Sequence, residues 1–299
     1  MRSACDQPAG DQEMTITGSG NKLAEAAASM SPNGAAKLYR TGIAGLEELV
    51  VSECVDPDNL RVLLGCLGDE DCVHSWRNFG PDGTLEGLLE WENKLRPTRI
   101  FFFHLDRGGE TRMIAASAVA EKLTRDFPHP GFCVLGRCYI MPQFRGMGFY
   151  RQILRYRLEH CRSQFGNELN GVHIGSVNER ISRVITNHGL TGWPRFIHLG
   201  EEELKVAGQI RTVGAYLMFL PEYIHRLKNM LAGDDAPSCV VKLRDALSRI
   251  ESDDTRNLGT LVKENFEKAI EHGWFENRGS HEIKQLLRFC GSIPLVGFK

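Results

Sequence analysis

The chain has 299 residues, of which 42% are hydrophobic and 25% charged, ordinary values for a globular protein. That length allows one large domain, or one domain with an appended one. The formal net charge of -2 offers no bulk attraction to nucleic acid or to an anionic membrane surface.

The nine cysteines are scattered and form no C-x-x-C pair. They read as reduced thiols in a cytoplasmic protein, not as a disulfide framework or a zinc site, and no metal is expected. The opening residues hold no apolar run of the kind a signal peptide needs. No stretch reaches the ~20 apolar residues of a membrane helix.

Taken in chain order, residues 1–36 are rich in Ala, Gly, Ser, Asn and Asp, and their composition predicts a disordered or weakly ordered segment. KLYRTGI reads as a short strand. AGLEELVVSEC reads as a helix with Leu46, Leu49 and Val50 on one face. LRVLLGCL fits a helix or a strand, and TLEGLLEWENKL, opening on Thr84 as an N-cap, reads as a helix. TRIFFFHLD and RMIAASAVAEKL flank a glycine turn and read as a hairpin.

FCVLGRCYIM is the next strand, and GFYRQILRYRLEHCRSQF is a helix of about 18 residues. Phe149, Ile153, Leu154, Tyr156 and Leu158 supply its apolar side. LNGVHIGSV reads as a strand with Val172 and Ile174 on one face. NERISRVITNHG is a helix stopped by Gly189. PRFIHLG and RTVGAYLMFL are two more strands, and four helical patterns follow Pro221. The expected division is therefore a core domain over residues 37–221 and a helical extension over residues 222–299.

The chemistry concentrates where the strand FCVLGRCYIM becomes a helix. Pro142 ends the strand, and Gly146 and Gly148 flank Met147 at the helix mouth. A helix N-terminus carries unpaired N–H groups and the positive end of the macrodipole. Glycines there allow turn conformations closed to other residues, and they let an oxyanion approach the amides. The string is neither G-x-G-x-x-G, since Arg151 stands at the last place, nor a Walker loop, since no G-K-[ST] follows.

The run Ile140-Met141-Pro142-Gln143-Phe144-Arg145-Gly146-Met147-Gly148 resembles the coenzyme A signature of the GNAT N-acetyltransferase superfamily, whose core is [QR]-x-x-G-x-[GA]. Asn178, Gly189 and Leu190 match a second family string in register. The resemblance spans roughly residues 37–221. It implies an α/β fold with a mixed, mostly antiparallel sheet flanked by helices. The family's fourth and fifth strands splay apart in that fold. Acetyl-coenzyme A is implied as donor, its pantetheine on the backbone of Tyr139, Ile140 and Met141. Its diphosphate would sit on the amides of Gln143, Phe144, Arg145, Gly146, Met147, Gly148 and Phe149. Arg145 would add charge, and Asn178 would lie near the acyl end.

Two departures stand out: Ile185 occupies the place of the tyrosine that many members use as acid, and FCVLGRCYI contains no carboxylate to serve as base. Transfer of an acyl group from a thioester to an amine needs a neutral amine, a polarised carbonyl and a route for one proton.

Glu121, at the end of the third core strand, is a candidate base acting through water, against the alternative of a solvated carboxylate. Ser176 is a candidate hydrogen-bond partner of the leaving thiol, against simple packing in the sheet. His173 reads as a core histidine, His188 as support for a helix C-terminus, and Cys138 as a buried thiol rather than a nucleophile. Arg145, Arg151, Arg155, Arg157 and Arg162 make the long helix basic. That face either attracts a polyanion or is solvated. The expected activity is acetyl transfer to a primary amine on a small molecule or a protein, the alternative being a degenerate acyl-coenzyme A-binding module. A homodimer through the C-terminal helices is the expected assembly.

Overall fold

The computed structural model describes residues 39–40, 48–52, 57–76, 98–107, 109–120, 131–176, 178–187, 190–206, 209–251 and 258–275. The predicted disordered segment at 1–36, the predicted helix from Thr84, Glu121, His188, Gly189 and the last predicted helix lie outside these residues.

Eight strands form one sheet in the order β1-β2-β3-β4-β5-β6-β8-β7. They are β1 (Tyr39–Arg40), β2 (Leu49–Ser52), β3 (Thr98–Arg107), β4 (Glu110–Ala120), β5 (Phe132–Ile140), β6 (Gly171–Ser176), β7 (Ile197–Val206) and β8 (Gln209–Phe219). Every neighbouring pair is antiparallel except β5–β6. This is the mixed, mostly antiparallel architecture the sequence implied. The helices are α1 (Pro57–Gly65), α2 (Glu70–Trp76), α3 (Phe149–Phe165), α4 (Glu179–Asn187), α5 (Pro221–Met230), α6 (Ser238–Glu251) and α7 (Leu258–Glu271).

One expected helix is corrected. Leu49, Val50, Val51 and Ser52 form strand β2, all four buried and paired with β3. Two adjacent valines favour extended backbone, and burial on both faces removes the alternation that marks a strand in sequence. The strand expected to stop at Gly200 instead continues to Val206, through a register shift between His198 and Gly200.

The apolar stripe of α3 lies where it was expected, with Phe149, Ile153, Leu154, Tyr156 and Leu158 buried. Phe101 and Phe103 of β3 meet Tyr156 edge-on at 5.6 and 5.5 Å, a favourable aromatic arrangement. On the opposite face, Leu217 and Phe219 of β8 and Ile197 and Leu199 of β7 pack with Leu227, Leu243, Val262 and Phe266 from α5, α6 and α7. The helices after Pro221 therefore complete the core over the β6-β8-β7 end of the sheet. A Cβ on Gly259 would lie 1.7 Å from the carbonyl oxygen of His198, so only glycine lets α7 approach β7 this closely.

Candidate active site

The β5–β6 ladder covers only Phe132↔Gly171 to Leu135↔Ile174. Beyond it β5 runs on to Ile140 and β6 to Ser176 with no mutual pairing. The sheet thus forks between two parallel strands, the opening that the sequence resemblance implied. In open sheets that place, outside the carboxyl ends of parallel strands, favours ligands.

A bulge sits at the fork. Ala116 pairs with Tyr139 and Ala118 with Gly136, so Arg137 and Cys138 face Ser117 alone. Arg137 has φ 52°, the one positive φ of a non-glycine among the described residues. Its side chain is buried, and burial lowers its pKa to about 9. Arg157 of α3, 1% exposed, donates hydrogen bonds to the carbonyls of Ala118 and Gly136 at 2.9 Å each. It bridges the bulge, and was read in sequence only as part of a basic or solvated face. Position 157 adjoins the buried stripe residues 156 and 158, and that was the available signal.

Past Ile140 the chain turns through a short 3₁₀ segment, Pro142–Phe144, into α3. Gly146 and Gly148 have φ 79° and 81°, and Gly148 is the N-cap. A Cβ at either glycine would meet nothing within 4 Å. Within the chain the glycines are therefore demanded by backbone conformation, not by crowding. Among the described residues, the N–H groups of Gly146, Met147, Gly148 and Phe149 donate to no backbone carbonyl. These consecutive donors stand at the N-terminus of a 17-residue helix, where the helix dipole adds positive potential.

The sequence-predicted residues divide here. Gln143, Gly146, Met147 and Gly148 are exposed on the turn, while Met141, Phe144 and Phe149 are buried beneath it as its apolar floor. Tyr139 is buried and Ile140 half-buried. Arg145 does not present its charge to the turn. Its Nε donates to the carbonyl of Ile140 at 2.9 Å. Its terminal nitrogens pair with Asp69 at 3.0 Å and Asp71 at 3.2 Å, and it lies 5.5 Å from the Tyr139 ring. Burial alone would raise the Asp69 carboxyl, but the Arg145 bond and the N–H groups of Asp71 and Cys72 hold it below its ordinary value. Arg145 thus anchors α2 to the loop.

Ser176 and Asn178 come together at the end of β6. The Ser176 hydroxyl donates to the Asn178 carbonyl at 3.2 Å and accepts from the Asn178 N–H at 3.1 Å. A local turn occupies it, so the expected role toward a leaving thiol has no support in this geometry. The same Asn178 carbonyl accepts from Ser182 N–H at 3.0 Å and from Ser182 Oγ at 3.2 Å. Ile185 is buried in the core. His173 is buried too, and burial pushes its pKa down to about 4. Burial raises the Cys138 thiol, which disfavours a nucleophilic thiolate. Of the arginines on α3, Arg162 lies 3.7 Å over the Trp193 ring, and Arg151 is exposed.

The chain is similar to solved N-acetyltransferases. A spermidine N-acetyltransferase from Vibrio cholerae in complex with CoA and spermine is 18% identical, with a TM-score of 0.45 over 59% of this chain and 98% of that one. A protein provisionally named a phosphinothricin N-acetyltransferase is 14% identical, with a TM-score of 0.43 over 57% of this chain and 98% of that one. A dodecameric structure of the Vibrio cholerae spermidine enzyme is 17% identical, with a TM-score of 0.43 over 60% of this chain and 98% of that one. No protein-family model and no curated protein matches the chain. The fold assignment rests on the strand order and the parallel, forked β5–β6 pair.

Among the described residues, no helix is long and apolar enough to cross a membrane. No group of three or more His, Cys, Asp or Glu there could hold a metal ion.

Proposed function

We propose that this chain is a GNAT-type N-acetyltransferase that moves an acetyl group from acetyl-coenzyme A to a primary amine within a ternary complex. The observation that carries the reading is the run of N–H donors from Gly146 to Phe149, at the head of a long helix and beside a forked sheet. Such a turn suits a diphosphate. From it the part of β5 not paired to β6, Gly136 to Ile140, leads down to the fork apex, and an extended pantetheine would lie along it. The diphosphate contacts would be backbone, since Arg145 is engaged with Asp69 and Asp71. The acyl carbon would then sit near the apex, where the amine attacks it. Either a small molecule or a protein could supply that amine.

A second reading has its own support. Ile185 carries no proton, and the Ser176 hydroxyl is occupied. A module that binds acyl-coenzyme A without turning it over would look the same at the loop.

Calorimetric titration with coenzyme A and acetyl-coenzyme A tests the shared element of both readings. The parent is expected to bind. Gly146→Trp is expected to lose binding while keeping most of its thermal stability, since space beside Gly146 is open and the strain at positive φ amounts to about 1–2 kcal/mol. Absence of binding by the parent would overturn both. Release of thiol from acetyl-coenzyme A in a mixture of primary amines then separates enzyme from binding module.

A further inference from the structure

The β5–β6 ladder ends at Leu135↔Ile174, so the first residue beyond it on each arm of the fork is a glycine, Gly136 on β5 and Gly175 on β6. Both are half-buried. Glycine inside a strand costs backbone entropy and leaves no side chain to pack, so a central strand keeps it for a reason. Elsewhere in this sheet the reason is crowding. A Cβ on Gly171 would lie 2.5 Å from the Met218 carbonyl oxygen, and one on Gly214 would lie 2.7 Å from the Tyr216 hydroxyl. Gly136 differs. A Cβ there would meet nothing within 4 Å, and its φ is not positive. The positive φ of the bulge falls one residue later, on Arg137. Neither conformation nor crowding within the chain demands glycine at 136.

The open space has a definite side. Gly136 pairs with Ala118, and Ala118 with Ile100, and residues paired across strands share a face. Ile100 alternates with Phe101 and Phe103, whose rings meet Tyr156 of α3. Gly136 therefore opens away from α3, on the face that α5, α6 and α7 cover over β7 and β8. The N–H donors from Gly146 to Phe149 stand at the start of α3. A coenzyme with its diphosphate there and its pantetheine along β5 would bring its thioester to the fork apex, between the two glycines. The backbone at Gly136 is held in place, because Arg157 donates to its carbonyl at 2.9 Å.

We propose that the space beside Gly136 receives the acyl chain of the donor, so that the site accepts short straight-chain acyl groups longer than acetyl, such as propionyl and butyryl. The inference rests on the transferase reading above and names its donor class. The acyl carbon sits between Gly136 and Gly175, and the carbons beyond it extend into the gap that a side chain at 136 would fill. The bonds exchanged are those of acetyl transfer. The C–N bond forms, the C–S bond breaks, the sulfur leaves with the bonding pair, and one amine proton ends on the released thiol. Only the apolar part of the donor changes. An apolar pocket tells one methylene from the next by about 10- to 200-fold, so a single added side chain is enough to reset the limit.

The test is calorimetric titration of the parent, Gly136→Ala and Gly136→Val with coenzyme A, acetyl-coenzyme A and butyryl-coenzyme A. The parent is expected to bind the butyryl and acetyl thioesters with affinities within about tenfold of each other. Gly136→Val is expected to weaken butyryl-coenzyme A by about tenfold or more beyond any loss for coenzyme A itself, with Gly136→Ala between parent and valine. Both variants are expected to keep the melting temperature of the parent, since the position is open and its φ is not positive. Rejection of butyryl-coenzyme A by a parent that binds acetyl-coenzyme A overturns the inference. Equal weakening of butyryl-coenzyme A and coenzyme A in Gly136→Val also overturns it, because the residue then touches the pantetheine and not the acyl chain. If the parent binds none of the three, the transferase reading itself has failed. Should Gly136→Val not fold, Gly136→Ala decides, with an expected loss of about threefold in the same ratio.

Discussion

Gly146 and Gly148 show what a residue pattern conveys and what it leaves out. Their φ values of 79° and 81° explain why the chain needs glycine at the mouth of α3, and the pattern was visible in sequence. Arg145 was equally visible, but its partners were not. Asp69 and Asp71 lie more than seventy positions earlier, and no local rule pairs them with the loop. His173 makes a prediction at the same scale. Its pKa of about 4 in the folded protein lies below the ~6.5 of an unfolded histidine. Between those values the unfolded chain takes up a proton that the folded chain refuses. The folded state therefore keeps its stability above pH ~6.5 and loses it as the pH falls, by about 3 kcal/mol near pH 4. Urea unfolding across that range should show a shallower pH dependence for His173→Leu than for the parent. Equal slopes would mean the ring is not buried as a neutral group.

Among the elements, the bulge of β5 determines the shape of the site. Two residues against one bend the strand and strengthen its local twist, and the ladder to β6 ends at Leu135, just before it. Arg157 braces this irregularity from α3 through two carbonyls. Replacing it by leucine should cost about 2–4 kcal/mol, because buried acceptors lose charged donors. Chemical denaturation gives that number, and a loss under 1 kcal/mol would show the brace to be dispensable. Helical spacing located α3 and its apolar stripe, but spacing cannot distinguish a solvated arginine from one aimed at a bulge. The misread strand β2 has the same origin. Its pairing with β3 is a long-range choice that overrides a local helical pattern.

For the whole molecule, the helices beyond Pro221 are the main surprise. They were expected as an extension, and α5, α6 and α7 instead share an apolar core with β7 and β8. The sheet is covered on this face by residues that follow it in the chain, so the core cannot close before they are made. Gly259→Ala places a methyl against the His198 carbonyl. The helix must then move off β7, and a fall of about 3 kcal/mol or more in unfolding free energy is expected, in the range of severe overpacking. Thermal unfolding of this variant, followed at Trp274, would refute the shared core if it matched the parent. The same contact links α7 to β7 at His198.

The sequence by itself determined the loop, its glycines, the helix behind it and the order of strands around them. These depend on neighbours within a few positions, where periodicity and turn chemistry act directly. Only the tertiary structure decided that Arg145 is tied to α2 and that Arg157 is buried. Each of these depends on pairing between segments far apart in the chain, and that pairing is set by the register of the sheet and the burial it imposes.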